Sequence, residues 1–168
     1  MPTNNNTLTN WECLVMSRAF VKNMDEAVEE LPDRPISPHP NLVTADGLAR
    51  IEAEVARLQQ DHAAAHAAND RAAIARAARD LRYWTARRAS AQLAPMPSDR
   101  STVHFGATVT IVRDDGRRQT FRIVGEDEAD PAHGTLSHVS PMARALFGKQ
   151  VGDTVQVAKS QAEIVEIT

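Results

Sequence analysis

Two apolar stripes of helical period, matched in length and separated by Asn69-Asp70, constrain the fold of this chain more than any other feature. Leu48, Ile51, Val55 and Leu58 recur at i, i+3, i+7 and i+10, which places them on a single seam of one helix. Thr44, just ahead of them, is a natural N-cap, because its hydroxyl can accept from an otherwise unpaired amide of the first turn. Beyond Leu58 the stripe fades into Ala63-Ala64-Ala65-His66-Ala67-Ala68, and Asn69-Asp70 supplies a break and a second N-cap. Ile74, Ala77, Leu81, Trp84 and Arg88 then mark one face of a second helix, which Pro95 and Pro97 bring to an end near Leu93. Two arms of roughly 23 residues span on the order of 35 Å at 1.5 Å per residue. Joined by so tight a turn, they must lie antiparallel as a helical hairpin.

After the linker at Pro95–Asp99 the period changes from 3.6 to 2. Val103 to Val112 is rich in β-branched residues and runs into Asp114-Asp115-Gly116, a hairpin-turn signal. Gln119 to Val124 returns antiparallel, and Thr135 to His138 forms a third short strand. Pro141 to Phe147 is a short helix that crosses the sheet, and Thr154–Val157 with Glu163–Ile167 completes it. The expected architecture is α+β: an N-terminal antiparallel helical hairpin followed by an antiparallel sheet carrying one short helix. The expected boundaries are a flexible N-terminal extension (1–41), the hairpin (42–94), a linker (95–100) and the C-terminal domain (101–168).

Composition excludes several classes of function. A net charge of −3 and a pI near 6.1 argue against a wholly basic nucleic-acid binder. The single cysteine, Cys13, cannot form an intramolecular disulfide or a cysteine-based metal site, and it fits a reducing, cytoplasmic setting. No apolar run approaches the roughly 20 residues of a membrane span, so no membrane partner is expected. The first 41 residues combine Asn4-Asn5-Asn6, an acidic stretch (Asp25, Glu26, Glu29, Glu30) and Pro32, Pro35, Pro38 and Pro40. That composition permits at most a brief helix around Met24 to Leu31.

Three co-linear blocks carry a resemblance to a known family. They are His104-Phe105-Gly106-Ala107-Thr108-Val109-Thr110, then Ile123-Val124-Gly125-Glu126-Asp127-Glu128-Ala129-Asp130, and then Ser137 to Asp153 with its Ser140-Pro141 helix start and Val151-Gly152-Asp153 turn. Together they resemble the C-terminal domain of the GreA/GreB transcription elongation factors. Thr44-Ala45-Asp46-Gly47-Leu48 and Asp80-Leu81-Arg82-Tyr83-Trp84 resemble the family's helical hairpin. Met16 to Lys22 resembles the start of some GreB-related proteins, which makes Met16 a candidate native start.

The resemblance implies an FKBP-like C-terminal domain that grips the rim of the RNA polymerase secondary channel, with the coiled coil entering that channel. In the family, acidic residues at the hairpin tip help hold a magnesium ion at the polymerase active site, and the polymerase itself cleaves backtracked RNA. This chain departs from the pattern at the tip. The segment that should carry a clustered Asp and Glu is alanine-rich, Asp70 alone remains beside the turn, and Asp61 lies too far along the first arm to replace the partner. Each arm falls short of the family's by roughly two to three turns of about 5.4 Å, closer in length to the regulator of nucleoside diphosphate kinase. Val139 also stands where relatives carry Asn or Asp.

The expectation is therefore a regulator without its own chemistry and without a cofactor, acting by occupancy of RNA polymerase and touching RNA or DNA only indirectly in the elongation complex. Its expected contacts are Val139, Ser140, Pro141, Met142, Ala143 and Leu146, with Asp127, Glu128 and the base of the hairpin. Two alternatives remain open at this stage: transcript-cleavage stimulation with Asp70 as a minimal acidic tip, and an FKBP-like interaction module for another protein. Individual residues carry plainer readings beside these. Asp70 suffices as an N-cap; His62 and His66 lack a third metal ligand; Ser140 before Pro141 is a helix cap outside any nucleophile motif. Trp84 continues the helical seam, and the acidic first arm is expected to pair with the arginine-rich second. Prolyl isomerase chemistry needs an aromatic-lined pocket, for which Phe105, Phe121 and Phe147 are too few.

Overall fold

A computed structural model describes residues 31–95, 99–157 and 160–168. The suggested helix before Leu31 and the candidate start at Met16 lie outside the described residues. The elements run β1 (Leu42–Val43), α1 (Ala45–Ala67), α2 (Arg71–Ser90), β2 (Gln92–Leu93), β3 (Thr108–Arg113), β4 (Arg118–Val124), β5 (Thr135–Ser137), α3 (Pro141–Leu146), β6 (Thr154–Val157) and β7 (Ser160–Ile167). Two short 3₁₀ turns, Glu126–Glu128 and Pro131–His133, lie between β4 and β5.

The hairpin forms as its caps and stripes dictate. Thr44 accepts a hydrogen bond from the Gly47 amide at 3.0 Å, and Asp70 accepts from the Ala73 amide at 2.9 Å. Asn69 adopts a left-handed conformation at φ 53°, which lets the chain reverse within three residues. Ile51, Val55 and Leu58 of the expected seam are buried while Leu48 is half-buried, and Ala65 of α1 and Ala77 of α2 are buried as well. On α2 the buried arginine is Arg87, whereas Arg88, expected on the apolar face, is exposed and lies 3.6 Å from Glu52. α2 ends at Ser90, earlier than expected, because the chain there turns into β2.

That two-residue strand was not legible in the sequence. β1 and β2 pair in parallel, Leu42 with Gln92 and Val43 with Leu93, so the chain segments entering and leaving the hairpin are stitched together at its root. The Gln92 amide donates to Asn41 O at 2.8 Å and the Ala94 amide to Val43 O at 3.1 Å. Two-residue pairings leave no periodic signature; only the burial of Val43, at 1% exposure, marks the site.

The C-terminal sheet has the order β5-β4-β3-β7-β6. Its pairings are antiparallel as expected except β4 with β5, which is parallel because the two 3₁₀ turns carry the chain back to the start of β4. Gly116 takes φ 80° in the β3–β4 turn, the left-handed geometry that this tight reversal needs. The expected first strand begins late: Val103, Phe105 and Ala107 are buried, yet they lie in a loop that closes one end of the core ahead of β3. In β7 the inward positions are Ala162, Ile164 and then Ile167, a change of phase at Val165-Glu166. The register against β3 shifts between Thr110 and Ile111, a bulge that returns Ile167 to the core.

One cluster forms this core: Val109, Ile111, Phe121, Ile123, Leu136, Val155, Ala162, Ile164 and Ile167 from the sheet and Ala143 and Leu146 from α3, with Val103 and Ala107 from the loop. α3 starts on Ser140, whose hydroxyl accepts from the Ala143 amide at 3.2 Å, and on Pro141, whose missing amide costs nothing at that position. Leu146 is fully buried, so Leu146→Ala is expected to destabilise the domain by about 2–5 kcal/mol, measured as a shift of the urea midpoint at unchanged slope.

Candidate functional site

The acidic run after β4 joins the two halves of the molecule. Glu128 is 8% exposed, and its carboxylate faces the start of α1. Oε1 accepts from the Thr44 amide at 2.9 Å and Oε2 from the Thr44 hydroxyl. A buried carboxylate is costly without such donors, and the positive end of the helix dipole adds to its stabilisation. Gly47 makes the approach feasible: a Cβ there would stand 2.0 Å from the Glu128 carboxyl carbon. Gly125 is needed for a similar reason, since a Cβ would lie 2.5 Å from Leu42 O.

Asp127 reaches the other arm. It accepts from Arg87 Nε and, at 2.8 Å, from the Tyr83 hydroxyl. The Arg87 side chain is 2% exposed and also donates to Asn41 Oδ1 at 2.6 Å, while Asn41 Nδ2 donates back to Arg87 O at 2.7 Å. Burial, reinforced by the Asp127 carboxylate, holds the Tyr83 hydroxyl above its ordinary pKa. The sequence placed Asp127 and Glu128 among the partner contacts. Their carboxylates are instead engaged within the chain, binding the globular domain to both arms of the hairpin.

Burial also divides the remaining expected contacts. Ala143 and Leu146 have 0% exposure and belong to the core, so neither side chain is available to a partner. Val139 and Ser140 are half-buried, Pro141 is exposed, and Met142 is half-buried against the core. Arg144, which the sequence reading passed over, is exposed on α3 beside Pro141. The sequence carried no signal for this, because Ala143 and Leu146 were themselves expected at the contact surface and only their burial shows that position 144 faces outward.

At the far end of the hairpin the structure separates the acidic residues. Asp70 caps α2, whereas Asp61 pairs with Arg57, which also holds Glu54 at 2.6 Å. His62 and His66 stack edge-on with centroids 4.6 Å apart. Among the described residues no group of three or more His, Cys, Asp or Glu side chains could hold a metal ion, and no helix is long and apolar enough to cross a membrane. Pairing between the arms is weaker than their opposite charges suggested. Arg57 pairs within α1 and Arg79 with its neighbour Asp80, while Arg82 turns outward to Asp33 at 2.7 Å.

Residues 31–41, expected as part of a flexible extension, run along α2 toward the junction. Arg34 covers the Tyr83 ring, and His39 Nε2 comes within 3.4 Å of the Arg144 guanidinium. Next to this segment, His138 is buried with its ring edge-on to Phe105, and its Nδ1 has no hydrogen-bond partner. Desolvation pulls its pKa below the usual histidine value, an effect that Glu126 and the backbone of Val124 and Pro40 oppose and His39 reinforces.

Asp127→Ala is expected to cost about 2–3 kcal/mol, because it removes the carboxylate hydrogen-bonded to the buried Arg87 guanidinium and leaves Glu126 at 3.6 Å and Asn41 as its partners; chemical denaturation measures the loss. For His138 the unfolded chain binds the proton more readily than the folded one. Its contribution is therefore complete above the ordinary value of 6.5 and declines as pH falls below it. His138→Leu is expected to reduce the fall in melting temperature between pH 7.5 and 5.5.

The chain is similar to several known proteins. The family described as "Transcription elongation factor, GreA/GreB, C-term" matches residues 97–168. A transcription elongation factor GreA of Rhodospirillum rubrum is 36% identical over 149 positions, covering 75% of this chain and 94% of that protein. Because 75% of 168 residues is about 126, the alignment must open gaps in this chain. The GreA of Agrobacterium fabrum is 36% identical over 130 residues, 77% of this chain and 79% of its own length. Among solved structures, GreA factor homolog 1 of Thermus thermophilus has a TM-score of 0.38 at 17% identity, over 77% of this chain and 99% of its own. A GreA/GreB factor of Nitrosomonas europaea has a TM-score of 0.38 at 19% identity, over 76% and 98%. With a relative of 36% identity matched over nearly its whole length, the chain belongs to the GreA/GreB transcription elongation factor family.

Proposed function

We propose that this protein binds RNA polymerase at the rim of its secondary channel and modulates elongation by occupancy, without strong stimulation of transcript cleavage. The observation that carries this reading is the hairpin tip. α1 has 23 residues and α2 has 20, so the arms reach only about 30–35 Å at 1.5 Å per residue. The tip offers one carboxylate, Asp70, and its Oδ1 accepts from the Ala73 amide. Holding magnesium takes several hard oxygens at close to octahedral geometry, and Asp61, the next acid, is held by Arg57 lower on α1.

Docking is assigned to the part of the expected surface that remains accessible: Val139, Ser140, Pro141 and Met142, with the exposed Arg144 beside them. α3 and the loop ahead of it are braced by Ala143 and Leu146 in the core, so this face is presented on a rigid support. In this reading the protein contributes no catalytic group and works by filling space, competing with cleavage factors or altering nucleotide passage at the channel.

A purified backtracked elongation complex tests the reading. The protein is expected to bind without shortening the transcript, and Asp70→Ala to behave as the parent does. Cleavage that Asp70→Ala abolishes would replace this proposal with the cleavage-factor reading. Pro141→Ala combined with Met142→Ala is expected to lower polymerase capture about tenfold or more, as loss of a central contact of 1–2 kcal/mol or above would, while the melting temperature stays within a few degrees of the parent. Undiminished capture by that variant would put the docking face elsewhere, and recovery of another protein in place of polymerase subunits would favour an unrelated interaction module.

A further inference from the structure

Arg34 occupies a receptacle on α2 whose walls do not depend on it. Its guanidinium carbon lies 3.8 Å from the centroid of the Tyr83 ring and 5.8 Å from that of Trp84, and the two rings meet edge-on at 5.3 Å. One guanidinium nitrogen is 3.8 Å from Asp80 Oδ1. Glu54 of α1 feels the same cation: its carboxyl is held below the ordinary range chiefly by its hydrogen bond from Arg57 and in smaller part by Arg34. Other contacts fix these groups. The Tyr83 hydroxyl is tied to Asp127 at 2.8 Å, and Asp80 is held by Arg79 at 2.9 Å. An aromatic face next to carboxylates, set in place beforehand, matches the planar and permanently charged guanidinium group.

The segment that delivers Arg34 is held far less firmly. Residues 31–40 form neither helix nor strand, and Pro32, Pro35, Pro38 and Pro40 have no amide to donate. The contacts beside Arg34 are at the surface: Asp33 with Arg82, at 70% and 52% side-chain exposure, and His39 with Arg144. Among the described residues firmer attachment begins at Pro40, whose backbone meets His138, and at Asn41, buried at 3% exposure against Arg87. Among the described residues, detaching 31–39 would break few hydrogen bonds to the rest of the chain (Asp33 with Arg82, His39 with Arg144) and leave the Tyr83 and Asp80 contacts standing.

We propose that Tyr83, Trp84 and Asp80 form a guanidinium-binding site, that Arg34 is its built-in occupant, and that an arginine side chain of a partner protein takes the site when the segment swings away from α2. The segment is then a pseudo-ligand. It covers the site in the free protein and yields it to a partner that offers an arginine at high local concentration. This goes beyond the proposed occupancy of polymerase and does not depend on it.

The test is a titration of the full chain and of Arg34→Ala with Nα-acetyl-arginine N-methylamide, followed by the NMR signal of the Trp84 indole. Arg34→Ala is expected to give a saturable shift. The parent should need about tenfold more probe or beyond, because an occupant tethered in the same chain competes at an effective concentration of millimolar order. Asp80→Asn added to Arg34→Ala is expected to weaken the response, and the matching lysine amide to bind several-fold more weakly than the arginine amide. Arg34→Lys, which keeps the charge and the solubility of the segment, should bind the probe between the parent and Arg34→Ala. Equal response of parent and Arg34→Ala, no response from either, or equal binding of lysine and arginine probes would overturn the proposal.

Discussion

A carboxylate buried at the start of a helix organises this molecule. Glu128 belongs to the globular domain and Thr44 to the hairpin, and the hydrogen bonds between them replace the water that both would otherwise require. The requirement spreads to the neighbours. Gly47 must lack a side chain so that the carboxylate can approach, and Gly125 must lack one so that Leu42 can pass. The adjacent Asp127 does for α2 what Glu128 does for α1, through Arg87 and Tyr83. Three consecutive acids that resemble a solvated loop in sequence are thus the joint between two structural units, and each arm of the hairpin is held by one of them.

Much of the architecture could be read from the chain alone. The seam Ile51-Val55-Leu58, the caps Thr44 and Asp70, the turn at Asp114-Asp115-Gly116 and the helix opening at Ser140-Pro141 are local signals, and local physics suffices to interpret them. What escaped were features that exist only between distant segments. Leu42–Val43 and Gln92–Leu93 are too short to show a period, and each is a strand only because the other is beside it. Arg87 reads like its exposed neighbour Arg88 until Asn41 and Asp127, some 40 residues away on either side, are brought to it.

The candidate site was legible in a similar, partial way. A helix capped at Ser140 was expected over Pro141 to Phe147 and runs to Leu146, but sequence could not say which of its residues face outward. Ala143 and Leu146 turned out to anchor it, and Arg144 to be presented. Asp127 and Glu128 were expected at the contact surface because of the family resemblance, and their carboxylates are enclosed against the hairpin.

The parallel stitch between β1 and β2 has a mechanical consequence. A hairpin fixed to its base through one strand is free to swivel about that strand. Here both legs are anchored at the same level, one on each side of the acidic joint. The rod is thereby clamped like a cantilever: a push on its alanine-rich end is carried undiminished to the root, and any slight change of angle at the root is magnified along the whole projection. In such a design the direction in which the rod points is decided by a handful of atoms at its foot.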